Sequence, residues 1–147
     1  MIRYATSQYC NGINKLMDEH SRYEGAECSL SRTDTKMKAT ILNPDSNLKC
    51  IVIEHDNKLA GYACFFPQFS SWNLQYYLYL DCIFIKEKLR RKGFGMELIK
   101  FIQKFAVDNG FEELQWQTPS NNKLGIQFYK KIDAVSNLKE RFTLGPL

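Results

Sequence analysis

Ile83-Phe84-Ile85-Lys86-Glu87-Lys88-Leu89-Arg90-Arg91-Lys92-Gly93-Phe94-Gly95-Met96 is the most informative stretch of the chain. An apolar strand runs into a basic loop with two closely spaced glycines, and the loop opens a long amphipathic helix. Glycine lets backbone N–H groups turn toward a ligand with no Cβ in the way. The helix N-terminus adds unpaired donors and the positive end of a dipole. Arg90, Arg91 and Lys92 bring positive charge to the same place, which is what a pyrophosphate requires. Two other phosphate motifs fit less well. G-x-G-x-x-G would need glycine at Leu98, and a P-loop would need G-K-[ST] after four intervening residues. On spacing alone, the alternative is a two-glycine turn beside a solvated basic run.

Downstream, Leu98, Ile99, Ile102, Phe105 and Ala106 make the cleanest helical stripe in the sequence. Asn109-Gly110 ends it with C-cap chemistry. Residues 112–118 read as a strand stopped by Pro119, residues 122–131 as a helix and residues 139–144 as a closing strand. Upstream, residues 74–85 are a long strand signal dense in tyrosine, leucine and isoleucine, preceded by a loop over 67–73. Residues 48–53 and 59–66 are strands separated by a turn at His55-Asp56-Asn57-Lys58. A weaker helical stretch runs over about 31–42, with Asn43-Pro44 as its stop. Ile13, Leu16, Met17 and His20 follow the spacing of an amphipathic helix, and Ile2 and Tyr4 mark a short first strand. An antiparallel meander followed by β-α-β-α-β predicts an α/β domain on a mixed sheet.

A length of 147 residues suits one domain, and 44% hydrophobic with 14% aromatic residues can fill a core. The net charge of +4 suits an anionic ligand but falls short of a dedicated nucleic-acid binder. The run 86–92 lacks the interleaved aromatics of a single-strand RNA groove. Cys10, Cys28, Cys50, Cys64 and Cys82 are scattered, odd in number and form no C-x-x-C pair, so no metal site is expected. The first residues lack a secretory core, and no uncharged stretch approaches the ~20 residues of a membrane helix. A cytoplasmic protein bound neither to membrane nor to nucleic acid is the expectation.

Two segments carry a family likeness. Arg90-x-x-Gly93-x-Gly95, between an apolar strand and a helix, resembles the acetyl-CoA signature of the GNAT N-acetyltransferases. Asn122-Lys123-Leu124-Gly125-Ile126-Gln127-Phe128-Tyr129 resembles that family's N-x-x-A-x-x-[FL]-Y helix. The resemblance implies a single GNAT domain over 1–147, with a mixed sheet of about six to seven strands and about four helices. It implies two adjacent parallel strands, residues 74–85 and 112–118, splayed around pantetheine. Backbone groups near Cys82, Ile83 and Ile85 would pair with the pantetheine amides, and Asn122 would reach the same arm. The pyrophosphate would sit on Arg90 and on the amides of Arg91, Lys92, Gly93, Phe94, Gly95 and Met96.

Within the family, Tyr23-Glu24 resembles the Tyr-Glu of the spermidine/spermine and thialysine acetyltransferases. Gly61-Tyr62-Ala63-Cys64-Phe65-Phe66 followed by Trp72 is similar to their G-F-A-x-Y-Y…W, and Tyr79-Leu80-Asp81-Cys82-Ile83-Phe84 to their Y-L-E-D-[LF]-[FY]. Asp81 stands where that pattern has glutamate, Cys82 where it has aspartate and Gly125 where it has alanine.

The implied activity is direct acetyl transfer from acetyl-CoA to a primary amine on a diamine, polyamine or lysine-like amino acid. An alkyl ammonium, with a pKa of about 10, must lose a proton before it attacks. Asp81 would take that proton, or as a structural carboxylate would only orient a water or the ammonium. Tyr129 would protonate the departing thiolate; the alternative is a core tyrosine beside Phe128. Tyr23, Glu24, Glu27 and Asp81 are candidate substrate contacts, against a solvated turn with scattered acids. His20 reads as one edge of a helix and His55 as a turn residue. Trp116 and the tyrosines at 76, 77 and 79 read as sheet packing or a dimer face, and a homodimer is expected from the resemblance alone. The rival readings are the same fold acting on an aminoglycoside, a peptide or a protein amine, and a non-catalytic CoA-binding sensor.

Overall fold

Cys50-Ile51-Val52-Ile53 is buried along its whole length and forms the centre of strand β2 (Lys49–His55). A strand without a polar face must be covered on both sides. In the computed structural model, which describes residues 1–29 and 31–147, helices supply that cover. Cys50 and Val52 pack with Ile13 and Leu16 of α1 (Cys10–Tyr23) and Met37 of α2 (Asp34–Ala39). The other face of the sheet receives α3 (Phe94–Asp108), whose Leu98, Ile99, Ile102 and Ala106 are buried. Each such large apolar side chain contributes roughly 1.5–3 kcal/mol on burial.

β1 (Ile2–Tyr4), β2, β3 (Lys58–Ser70) and β4 (Gln75–Ile85) pair antiparallel in sequence order, and β5 (Leu114–Trp116) joins β4 in parallel. The β2–β3 turn places Asp56 and Asn57 at φ 50 and 57, the two left-handed residues of a tight hairpin. Together these elements make up a unit over Met1–Gln117. A second unit, Thr118–Leu147, holds α4 (Lys123–Lys131).

The described sheet has five strands, fewer than the six to seven expected. Residues 139–144 form no strand, because the second unit offers no partner strand, and Leu138, Phe142 and Leu144 are exposed. β3 continues through the expected loop, pairing Pro67 with Leu78 and Ser70 with Gln75. Proline is tolerated there because β2 pairs β3 only as far as Phe65, so its missing N–H breaks no ladder. α2 is shorter than the stretch 31–42, starting at the Thr33 cap, and β5 is shorter than 112–118.

One irregularity matters for function. Cys64 pairs with Cys82 but Phe65 with Leu80, which leaves Asp81 as the extra residue of a bulge. Cross-strand partners share a face. The Phe65 ring meets Phe105 of α3 at 5.1 Å, so Leu80 faces α3, whereas Cys82 and Phe84 face α1. The bulge therefore turns β4 over in the middle.

Candidate functional site

The parallel ladder between β4 and β5 ends at Leu80–Trp116, and β4 runs on to Ile85. Backbone direction changes at the bulge as well. Before it, the Leu78 N–H bonds to Glu113 C=O on the β5 side (2.9 Å). After it, the Lys86 N–H bonds to Ala60 C=O on β3 (2.9 Å). By the antiparallel alternation, Phe84 and Cys82 then direct their main-chain groups to β3, and Ile83 and Ile85 to the edge that β5 has left. Of the three backbone positions expected to meet pantetheine, Ile83 and Ile85 thus face the open edge and Cys82 faces β3. The Ile85 carbonyl accepts from Arg90 Nε (3.0 Å).

The basic loop follows directly. A short 3-10 turn, Glu87–Leu89, leads to Arg91 at φ 61 and Gly93 at φ 90, and α3 begins at Phe94. The first internal bond of this turn runs from Glu97 N–H to Gly93 C=O (3.0 Å). The N–H groups of Phe94, Gly95 and Met96 therefore precede the helical ladder, at the positive end of a 15-residue helix. Arg91, Lys92 and Gly93 are exposed, and nothing lies within 4 Å of a Cβ built on Gly93. This open, basic cradle of donors fits a diphosphate. Arg90 differs from its neighbours: its guanidinium lies 4.2 Å over the Tyr23 ring and 5.5 Å from the Phe84 ring.

Asp81 is exposed at the bulge, with its Oδ2 3.6 Å from the Cys82 Sγ. Burial, helped by the Asp81 charge, pushes the Cys82 thiol up to about 12. Cys64 is held above its ordinary value by hydrogen bonding with the neighbouring free thiol of Cys50 and by burial. Neither is a thiolate nucleophile at neutral pH. Among the described residues, no group of three His, Cys, Asp or Glu side chains is arranged to hold a metal ion.

Tyr23, Glu24 and Glu27 are all exposed at and beyond the end of α1. Glu24 Oε1 lies 3.2 Å from His20 Nε2, and His20 Nδ1 lies 2.9 Å from the Tyr62 hydroxyl. Burial lowers the His20 pKa despite Glu24, so at neutral pH the contact is a hydrogen bond to a neutral ring. Tyr62, 1% exposed, is held well above the ordinary phenol range by burial. Nothing in the spacing of residues joins His20 to Tyr62. The available signals were Glu24 four residues beyond His20, and a tyrosine where the resembling pattern has phenylalanine.

In the second unit, Asn122 caps α4, its Oδ1 accepting from Gly125 N–H (3.2 Å). Its Nδ2 donates to Thr118 Oγ1 (2.8 Å). Tyr129 lies half-buried on α4 with its ring 5.4 Å from Phe128.

The sequence model of the Acetyltransferase (GNAT) family matches residues 13–133. The thialysine N-epsilon-acetyltransferase of Bos taurus is 25% identical over 142 residues, covering 91% of this chain and 83% of that protein. The L-ornithine N5-acetyltransferase NATA1 of Arabidopsis thaliana is 35% identical over 80 residues, 54% of this chain and 35% of that protein. Among solved structures, the aminoglycoside N-acetyltransferase AAC(6')-Iy in complex with CoA superposes with a TM-score of 0.78 at 16% identity, covering 100% of both chains. At that identity the likeness is one of fold.

Proposed function

Because the chain belongs to the GNAT acetyltransferase family and is an acetyl-CoA-dependent N-acetyltransferase, we propose that its acceptor is the primary amine of a small diamine, polyamine or lysine-like amino acid. The observation that carries the transfer chemistry is the end of the β4–β5 ladder at Leu80–Trp116, where β4 continues into a basic loop at the α3 N-terminus. A separated parallel pair leaves main-chain groups for an amide-bearing arm, and the helix end supplies donors for a diphosphate. The acceptor class is supported by the relatives named for thialysine and L-ornithine and by Asp81, Glu24 and Glu27, acids suited to an ammonium ion.

Acetyl-CoA, when bound, supplies the activated thioester. In the proposed reading, Ile83 and Ile85 hold its arm by backbone bonds, Asn122 assists, and Arg91 through Met96 hold its diphosphate. The Cys82 backbone and the Arg90 side chain act from behind, one pairing with β3 and the other bracing Tyr23 and Phe84. Asp81 takes the proton that the acceptor ammonium sheds before its nitrogen attacks, and the second N–H proton leaves to solvent as the new C–N bond forms. Tyr129 hands its hydroxyl proton to the sulfur as the C–S bond breaks, then recovers one from solvent. A phenol is uncharged at neutral pH and donates without a perturbed environment. Transfer is direct, with Cys64 and Cys82 both raised above the ordinary thiol range and neither acting as nucleophile. Residues 1–147 acting as one domain, a homodimer and a cytoplasmic setting belong to the same proposal.

The test is mass-spectrometric product detection with acetyl-CoA and putrescine, spermidine, thialysine, lysine, an aminoglycoside and a lysine peptide. A mono-acetylated small amine is expected, with Tyr129→Phe lowering kcat about a hundredfold or more while acetyl-CoA still binds. An acetylated aminoglycoside or peptide alone would overturn the acceptor class. Binding of acetyl-CoA with no product would favour a sensor.

A further inference from the structure

Two acids suited to the acceptor amine are tied to side chains that have no part in the transfer itself. Five side chains form a line from the end of α1 to the β4 bulge: Glu24, His20, Tyr62, Cys82 and Asp81. The Glu24–His20 contact is 3.2 Å, the His20–Tyr62 contact 2.9 Å and the Cys82–Asp81 contact 3.6 Å, and the Tyr62 hydroxyl lies near the Cys82 thiol. The His20 ring is fixed in its plane by stacking on Phe84, with centroids 5.1 Å apart at 20°. The line passes through a buried tyrosine and ends on an exposed acid at each end.

Hydrogen-bonding capacity sets the directions. A carboxylate only accepts, so Nε2 of His20 carries the proton that it donates to Glu24. Nδ1 is then bare and accepts from the Tyr62 hydroxyl. The single Tyr62 hydroxyl proton is then given to His20, and the single Cys82 thiol proton points to the Asp81 carboxylate. Protonation of His20 would put a proton on Nδ1, reversing the His20–Tyr62 bond and turning the Tyr62 hydroxyl away from the ring. It would also add a positive charge beside two acids suited to an ammonium ion.

We propose that His20 is a positioning residue of the transfer reaction: bridging Glu24 and the buried Tyr62, it keeps Glu24 facing the acceptor side. This rests on the amine-acetylation reading. His20 does its work as the uncharged Nε2–H tautomer. The charged and titratable groups around it are Glu24 on its own helix, Tyr62 on β3, Asp81 and Cys82 on β4, and Arg90 in the following loop. Burial favours the uncharged ring, Arg90 acts in the same sense, and Glu24 and Asp81 oppose them.

The experiment is the pH dependence of amine kcat/KM at saturating acetyl-CoA, in wild type, His20→Gln and Tyr62→Phe. Glutamine can donate to Glu24 and accept from Tyr62 but does not titrate. The wild type should show an acid limb below the ordinary imidazole range, and His20→Gln should flatten it. Tyr62→Phe removes a donor to the neutral ring, so the limb should move to higher pH by about half to one unit. Acetyl-CoA affinity should stay the same in all three, which separates this effect from loss of folding. An identical acid limb in wild type and His20→Gln would overturn the proposal. Imidazole 15N shifts of the wild type give a readout independent of turnover and of the variants' folding. The Nε2-protonated tautomer at neutral pH is expected, and an Nδ1-protonated or charged ring would overturn it. A wild type that shows the expected tautomer but acetylates no amine would instead remove the functional reading, and this inference with it.

Discussion

Gly61 and Gly93 are both glycines of necessity, for opposite reasons. A Cβ built on Gly61 would come 2.3 Å from the Phe84 carbonyl oxygen and 2.5 Å from Ile85 Cδ1. Gly61 pairs with Ile53 on one side and Ile85 on the other, so neither backbone can retreat without opening the sheet. Gly61→Ala is expected to cost about 1–3 kcal/mol in urea unfolding, as overpacking does. Gly93 has open space around its Cβ position and pays only through its φ of 90. Gly93→Ala should cost about 1–2 kcal/mol of strain and should weaken acetyl-CoA binding in calorimetry, because relaxing that dihedral re-aims the first donors of α3. Equal acetyl-CoA affinities in wild type and Gly93→Ala would show that the cradle does not depend on the left-handed turn. Gly93 was legible in sequence, since glycine spacing before a helix has a known use. Gly61 was not, because the crowding comes from a strand more than twenty residues away.

At the scale of elements, what periodicity could show was shown. The stripes at Ile13-Leu16-Met17-His20 and Leu98–Ala106 became α1 and α3, and the Asp56-Asn57 turn closed its hairpin. What failed had a non-local cause. The continuation of β3 through Pro67 depends on β2 stopping at Phe65, and the missing strand at 139–144 depends on a partner edge. The bulge at Asp81 depends on counting residues against β3, which no single strand encodes. Helix α1 carries a prediction of its own. Burial depresses the His20 pKa, so on acidification the unfolded chain takes up this proton first, near about 6.5. Stability must then fall as pH drops below that value. Asp18 on the same helix is lowered chiefly by its bond to Arg32, so its contribution is present above about 4 and lost only at lower pH. Urea midpoints should therefore decline as pH falls below about 6.5 in wild type and decline less in His20→Gln. Parallel declines in the two proteins would place the titrating group elsewhere.

On the scale of the whole molecule, a net charge of +4 sets a weak field, and the local arrangement of cations decides what it does. Lys88, Arg91 and Lys92 are exposed around the α3 N-terminus, whereas Arg90, adjacent in sequence, lies over Tyr23 and Phe84 and bonds to Ile85. A polyanionic ligand should feel the first set through solvent, within a Debye length of about 8–10 Å at ordinary salt. Acetyl-CoA affinity should consequently weaken as salt rises, and the double variant Arg91→Gln/Lys92→Gln should bind more weakly with a shallower salt dependence. Arg90→Gln should behave differently. It removes a cation that braces the end of α1, so it should raise the amine KM more than the acetyl-CoA Kd and leave the salt slope of acetyl-CoA binding nearly intact. Sequence alone treated the three basic residues as one patch, because a run of like charges does not say which side chain folds back onto an aromatic ring. Binding titrations at low and high salt on the double variant and on Arg90→Gln separate the two roles. Matching salt slopes in the two proteins would return Arg90 to the diphosphate.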